Sequence, residues 1–201
     1  CVSKGVSNDL NHYFNINRKK LITIYNPIDH IRINKLSLLS DFESNALIKK
    51  GDFILCIARL VEAKNLSLLI NAFNNAKDKL DYKLIIMGEG PLRSELESLI
   101  IKLNLDKYIF LIGYLSNPYF ILKKSKAIIC SSKYEGLSMV LIESLALGKY
   151  IISTDCSSGP REILDNGKYG TLVPSENIEI LSRALKNIDI NQKKFDKKLL
   201  V

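Results

Sequence analysis

The stretch AIICSSKYEGLSMVLIESLALGKYIIST, residues 127–154, decides how this chain folds. It opens on a continuous apolar run, Ala127–Cys130, and closes on another, Tyr150–Ser153. Runs that are apolar at every position, and not at every second one, belong to strands buried on both faces, as in a parallel sheet. Between them, Ser138 to Leu147 is apolar nearly all round at helical length, which predicts a buried helix. Glu143 lies in the middle of that helix, and Glu135 just ahead of it.

The same alternation extends outward on both sides. Short apolar runs occur at Leu21–Tyr25, Phe53–Ala58, Leu84–Met87 and Ile109–Ile112. Helical spacing fills the gaps: Leu66, Leu69, Ile70 and Phe73, then Leu92, Leu96, Ile100 and Leu103, and later Ile180, Leu181, Ala184, Leu185 and Ile188. Gly88, Gly113, Gly148 and Gly170 border the apolar runs, while Pro91, Pro118 and Pro160 stand where a helix can begin. From residue 52 onward the pattern predicts an α/β domain with a doubly wound, Rossmann-like parallel sheet. Residues 1–50 differ, with one strand, an Asn26-Pro27 turn and a polar stretch from Ser37 to Lys50. They resemble a segment arriving from another domain.

Composition removes several classes. The chain has 201 residues, 47% of them hydrophobic and 25% charged, which excludes a disordered chain, a collagen-like repeat and a disulfide-stapled miniprotein. It has no run of 18 or more uncharged apolar residues, so no helix spanning a membrane is expected. Cys1, Cys56, Cys130 and Cys156 show no metal-ligand spacing, and three of them sit in or after apolar runs, as small hydrophobes in a reducing cytosol do. The net charge is +8, and a local excess of four lies in the last twenty residues, among them Lys193, Lys194, Lys197 and Lys198. Such a basic tail, 189–201, is ordinarily a solvated surface; attraction to anionic lipid is the second reading. It carries no recognisable recognition module, so no nucleic-acid partner is expected. The chain begins at Cys1, as a fragment does, so the lack of a signal peptide is silent about a parent.

A doubly wound sheet takes its ligands outside the carboxyl ends of its strands. The first such loop carries Arg59 and Lys64 and has no glycine, against a dinucleotide fingerprint. Arg offers a fork matched to phosphate oxygens and Lys a mobile point charge, though two cations in a loop are more often plain surface. The second loop, MGEGP at 87–91, permits a sharp turn and close backbone approach at Gly88. Glu143 has two readings: a carboxylate held by a structural partner, or one facing a cleft to accept hydroxyl hydrogen bonds.

Arg59 and Lys64, the MGEGP turn, and Glu135 with Glu143 seven residues between them occur in the order and at the spacing of the GT-B retaining glycosyltransferases called glycosyl transferases group 1, or family 4. The resemblance runs from about Asn26, where IYNPID resembles the family's hinge, to about residue 188. DCSSGPREIL at 155–164 resembles members that build bacterial surface glycans, lipopolysaccharide among them, from UDP-linked sugars. The resemblance implies the C-terminal half of a two-half enzyme: 1–50 the hinge from an N-terminal acceptor-binding half not in this sequence, and 51–188 the nucleotide-sugar-binding domain. It implies a hexosyltransferase in the cytoplasm, with peripheral contact at the inner face of the membrane left open, acting on a glycan or lipid-linked acceptor.

Residue by residue, Arg59 and Lys64 would grip the donor diphosphate in place of a metal ion, since no DxD motif appears and no cofactor is implied. Glu135 would meet the transferred sugar, and Glu143 the ribose hydroxyls. Backbone at Gly136, Leu137, Ser138 and Met139 would approach sugar and phosphates, and Gly113 with Tyr114 would edge the base. Ala58 and Ser138 stand where the family usually has glycine, and His12 and His30 lie outside the matched motifs. Two other readings remain: a nucleotide-binding module inactive on its own, and an NAD(P)-dependent oxidoreductase.

Overall fold

A computed structural model describes residues 1–40 and 51–194. The polar stretch through Lys50 and the end of the basic tail fall partly at 41–50 and 195–201, outside the described residues. From residue 53 the chain alternates between parallel strands and helices, and a final helix follows the last alternation: β1 Phe53–Ile57, α3 Leu66–Ala76, β2 Lys83–Met87, α4 Arg93–Lys102, β3 Ile109–Gly113, α5 Tyr119–Lys124, β4 Ala127–Cys130, α6 Met139–Ala146, β5 Tyr150–Asp155, α7 Pro160–Ile163, β6 Thr171–Pro174, α8 Ile178–Lys186 and α9 Ile188–Lys194. Among the described residues two α-helices precede them, α1 Lys4–Phe14 and α2 His30–Leu36.

The six strands form one sheet in the order β3-β2-β1-β4-β5-β6, every pair parallel. Side chains alternate across it. Ile54 and Cys56 of β1 face a core built with α3, α4 and α8, while Phe53 and Leu55 face a second core under α5 and α6. Both layers bury their strands, which is why the apolar runs are continuous. The order reverses between β1 and β4, whose paired residues are Leu55 and Ile128. At such a reversal the flanking loops part and leave a crevice at the strand ends.

Four expectations meet a different structure. Leu21–Tyr25 is not a strand: Ile22 and Ile24 are 69% and 72% exposed, and the segment's backbone bonds go to Cys1, through Ile22 O and Ile24 N–H, and to Arg18 O, through Leu21 N–H, while the Tyr25 hydroxyl donates to Glu162. Its apolar residues have no sheet edge to join. Thr171–Pro174 is a strand that the apolar runs did not show, a short edge strand paired only with β5. The helix expected to be buried all round is buried only at Leu141 and Ser144, because α6 packs on β5 with its remaining surface partly open. The segment expected as a basic tail from 189 also starts as a helix, α9, and Asp189 accepts from Tyr82 and pairs with Lys126 at 3.2 Å. No helix among the described residues is long and apolar enough to cross a membrane.

Candidate functional site

The crevice is a cavity of about 480 Å³. Its floor is the ends of β1 and β4, and its polar wall comes from Arg59, Lys64, Gly88, Tyr114, Glu135 and Ser138. Four loops supply these residues, brought together because parallel strands put all their carboxyl ends on one edge.

The loop after β1 is held to its neighbours by backbone bonds. Ala58 N–H donates to Met87 O and Leu60 N–H to Glu89 O, so it runs beside the MGEGP turn. Gly88 is the residue that allows this approach: its φ is +138°, and a Cβ there would lie 2.0 Å from Ala58 O. A short 3₁₀ turn, Glu62–Lys64, then leads through Asn65, left-handed at φ 45°, into α3. Asn tolerates that conformation better than other side chains do. Two further bonds fasten the turn to the loop after β4: Ser131 Oγ donates to Lys64 O at 2.8 Å, and Lys133 N–H to Ala63 O at 2.9 Å.

These ties deliver Lys64 to Glu135. Nζ lies 2.6 Å from Oε1, and the side chains are 20% and 9% exposed. Ser132 Oγ donates to the same oxygen at 2.7 Å. The backbone of Glu135 is supported too, since Ser158 Oγ from the loop after β5 donates to its carbonyl. Arg59 is exposed at the rim, with no ion-pair partner among the described residues. Thus the first expected catalytic trio, Arg59, Lys64 and Glu135, shares one cavity. Ser132 is an addition that the sequence signalled only as a serine pair ahead of the glutamate.

The remaining expected residues divide. Ser138 lines the cavity as the N-cap of α6, with no side-chain capping bond. Tyr114 stands exposed at the rim. Gly136, Leu137, Met139 and Gly113 do not line it; Gly136 lies against Val2 and Val6 of the first helical stretch, and Gly113 O accepts from Gly88 N–H. Glu143 also lies outside the lining, three residues beyond Val140, which does line it. Residues three apart share a helix face, so Glu143 stands at the cavity's edge. Its Oε1 accepts from the Tyr119 hydroxyl at 3.0 Å, a partner that the sequence gave no signal for.

Burial pushes the Glu143 carboxyl above its ordinary range, and the Tyr119 bond opposes this in part. A carboxyl raised in the folded state contributes stability when protonated and loses it as pH climbs through its folded value. Glu143→Gln is therefore expected to unfold at equal or higher urea concentration than the parent at pH 7. The advantage should vanish below about pH 4, where the unfolded carboxyl is also protonated. Urea midpoints at the two pH values check this; a variant that unfolds earlier at pH 7 would make Glu143 a structural ion-pair partner. The thiols of Cys56, Cys130 and Cys156 are likewise pushed up by burial, so they remain neutral.

Comparison with known proteins identifies the family. The model of the family described as "Glycosyl transferases group 1" matches residues 39–199. A Campylobacter jejuni protein, N-acetylgalactosamine-N,N'-diacetylbacillosaminyl-diphospho-undecaprenol 4-alpha-N-acetylgalactosaminyltransferase, is 41% identical over 186 residues, 92% of this chain and 49% of that one. A Staphylococcus aureus poly(ribitol-phosphate) alpha-N-acetylglucosaminyltransferase is 30% identical over 61% of this chain and 25% of its own length. This chain thus spans half or less of the length of these relatives. Among solved structures, Anabaena Alr3699/HepE in complex with UDP superposes with a TM-score of 0.76 at 18% identity, over 100% of this chain and 60% of that one. A glycosyltransferase from Rickettsia africae does so with a TM-score of 0.77 at 20% identity, over 99% of this chain and 59% of that one. These likenesses show the fold, one half of a GT-B glycosyltransferase. The family model covers most of the chain, and the strand order is that of the matched folds: this chain belongs to the glycosyl transferases group 1, family 4.

Proposed function

We propose that residues 51–188 are the donor-binding domain of a retaining hexosyltransferase, holding a UDP-linked sugar in the crevice between β1 and β4. The observation that carries this is the convergence of Arg59, Lys64 and Glu135 on one cavity at the sheet's reversal. A diphosphate between the two cations would receive charge-assisted hydrogen bonds from both. The same cations would stabilise the charge that grows on the leaving nucleotide, as preorganised donors do. Glu135 then faces the transferred sugar, and the first-turn amides of α6, beginning at Ser138, face the anion. Glu143 accepts from the ribose hydroxyls, and the backbone after β3, with Tyr114, borders the base. The assignment of UDP is supported by the complex of the Anabaena protein, and that of a lipid-linked or glycan acceptor by the names of the relatives. We place the reaction in the cytoplasm, which four unpaired cysteines suit.

The reading is tested by ligand-induced thermal stabilisation with UDP, GDP and NADH. UDP is expected to stabilise the chain, and stabilisation by NADH alone would replace this reading with an oxidoreductase. Arg59→Ala should then weaken UDP binding by roughly 1.5–3 kcal/mol, the worth of a hydrogen bond to a charged group, and leave uridine binding unchanged. Equal losses for UDP and uridine in calorimetric titration would remove Arg59 from the phosphates.

A further inference from the structure

We propose that Tyr119 is a positioning residue for the ribose: its hydroxyl holds the Glu143 carboxylate in the orientation that receives the sugar's diol. The proposal rests on the reading of Glu143 given above and adds how that side chain is aimed.

Tyr119 is the first residue of α5 and follows Pro118, which lines the cavity. Glu143 follows Val140, another lining residue, by one helical turn. The bond between them, 3.0 Å from the Tyr119 hydroxyl to Glu143 Oε1, therefore bridges two helices at the cavity's edge. The start of α5 is itself fixed without help from Glu143. Asn117 Oδ1 accepts from Tyr119 N–H at 3.2 Å, and Asn117 Nδ2 donates to Leu36 O and Leu39 O at 3.0 and 3.1 Å. Lys123, one turn on, donates to Ser37 Oγ at 3.2 Å. The end of α2 thus anchors α5, and α5 anchors the carboxylate.

A carboxylate has two oxygens and about four sites for accepted bonds. The tyrosine takes one site on Oε1, which leaves Oε2 and the second site of Oε1 for a ligand with two hydroxyl donors. A free glutamate would have to freeze three side-chain torsions when ribose arrives; one already held by a rigid phenol has done so beforehand. The hydroxyl bond leaves the carboxylate charged, and a charged acceptor makes the stronger bond.

The test compares UDP with 2′-deoxy-UDP by calorimetric titration of the 201-residue chain and its variants. The parent should prefer UDP, and Glu143→Gln should reduce that preference. Tyr119→Phe, which keeps the ring and removes only the hydroxyl, should weaken UDP roughly 3- to 10-fold, the scale of one neutral hydrogen bond, with little change for 2′-deoxy-UDP. Because the tyrosine acts through the glutamate, the double variant should prefer UDP no less than Glu143→Gln alone does. A parent without preference defeats the ribose reading and this proposal with it. A parent and a Glu143→Gln variant that behave as stated, beside a Tyr119→Phe variant with the parent's full preference, overturn the positioning role alone. Equal weakening of both nucleotides by Tyr119→Phe also overturns it, since a merely structural residue would act in that way.

Discussion

Lys64→Ala is expected to lower UDP affinity about 10- to 150-fold and to destabilise the ligand-free chain as well. The first effect is the loss of a charge-assisted bond to phosphate, worth roughly 1.5–3 kcal/mol. The second follows from the ion pair. Glu135 is 9% exposed, and without Lys64, at 2.6 Å, its charge is left with the Ser132 hydroxyl and the weaker Cys130 thiol as donors to Oε1. Breaking a fully buried pair costs about 3–5 kcal/mol. Ser132 remains and Lys64 is partly open, so a loss of roughly 1–3 kcal/mol is expected here, the scale of one buried acceptor losing its partner. Adding Glu135→Gln separates the two effects. The double variant should regain stability in urea while UDP affinity stays low. Recovery of both would mean that Lys64 only neutralises Glu135 and never touches phosphate.

Gly88→Ala is expected to be the most damaging single methyl in the molecule. At φ +138° an alanine is strained, by roughly 1–3 kcal/mol. Its Cβ would meet Ala58 O at 2.0 Å, where β1 and β2 are joined by Ala58 N–H to Met87 O, and β2 to β3 by Gly88 N–H to Gly113 O. Forcing these strand ends apart adds about 1–3 kcal/mol of overpacking. Together the effects come to about 2–6 kcal/mol, a large share of the stability of a typical domain, about 5–15 kcal/mol. Gly148→Ala is the control: φ is +64°, and nothing lies within 4 Å of the added carbon, so only about 1–2 kcal/mol of left-handed strain applies. Equal urea midpoints for the two variants would show that the approach to Ala58 is soft.

The sheet was legible because its strands are covered on both faces. Ile54, Leu55, Ile128 and Ile151 are wholly buried, and such residues write themselves as unbroken apolar runs. β6 did not show because it is four residues at an edge and ends in Pro174. Leu21–Tyr25 has the composition of a strand, but pairing needs an open edge as well as apolar side chains, and composition carries no record of edges. The helix with Glu143 misled in a similar way, since an apolar surface implies burial only where something packs on every side. Arg59, Lys64 and Glu135 were legible from the strand ends at which they sit and from their family spacing. Tyr119 was not, since its bond to Glu143 joins residues 24 apart on different helices, and neither neighbourhood hints at the other.

The bonds from Ser131 to Lys64 O, from Lys133 N–H to Ala63 O, and between the Lys133 ammonium and Glu62 at 3.5 Å give the crevice a modular grain. Residues 58–65 and 131–138 are one part in two pieces. A chimera that imports a different donor preference from another family member must therefore transplant both segments together. Moving either one alone separates Ser131 and Lys133 from the backbone that they were matched to, and the imported lysine arrives without the geometry that aims it.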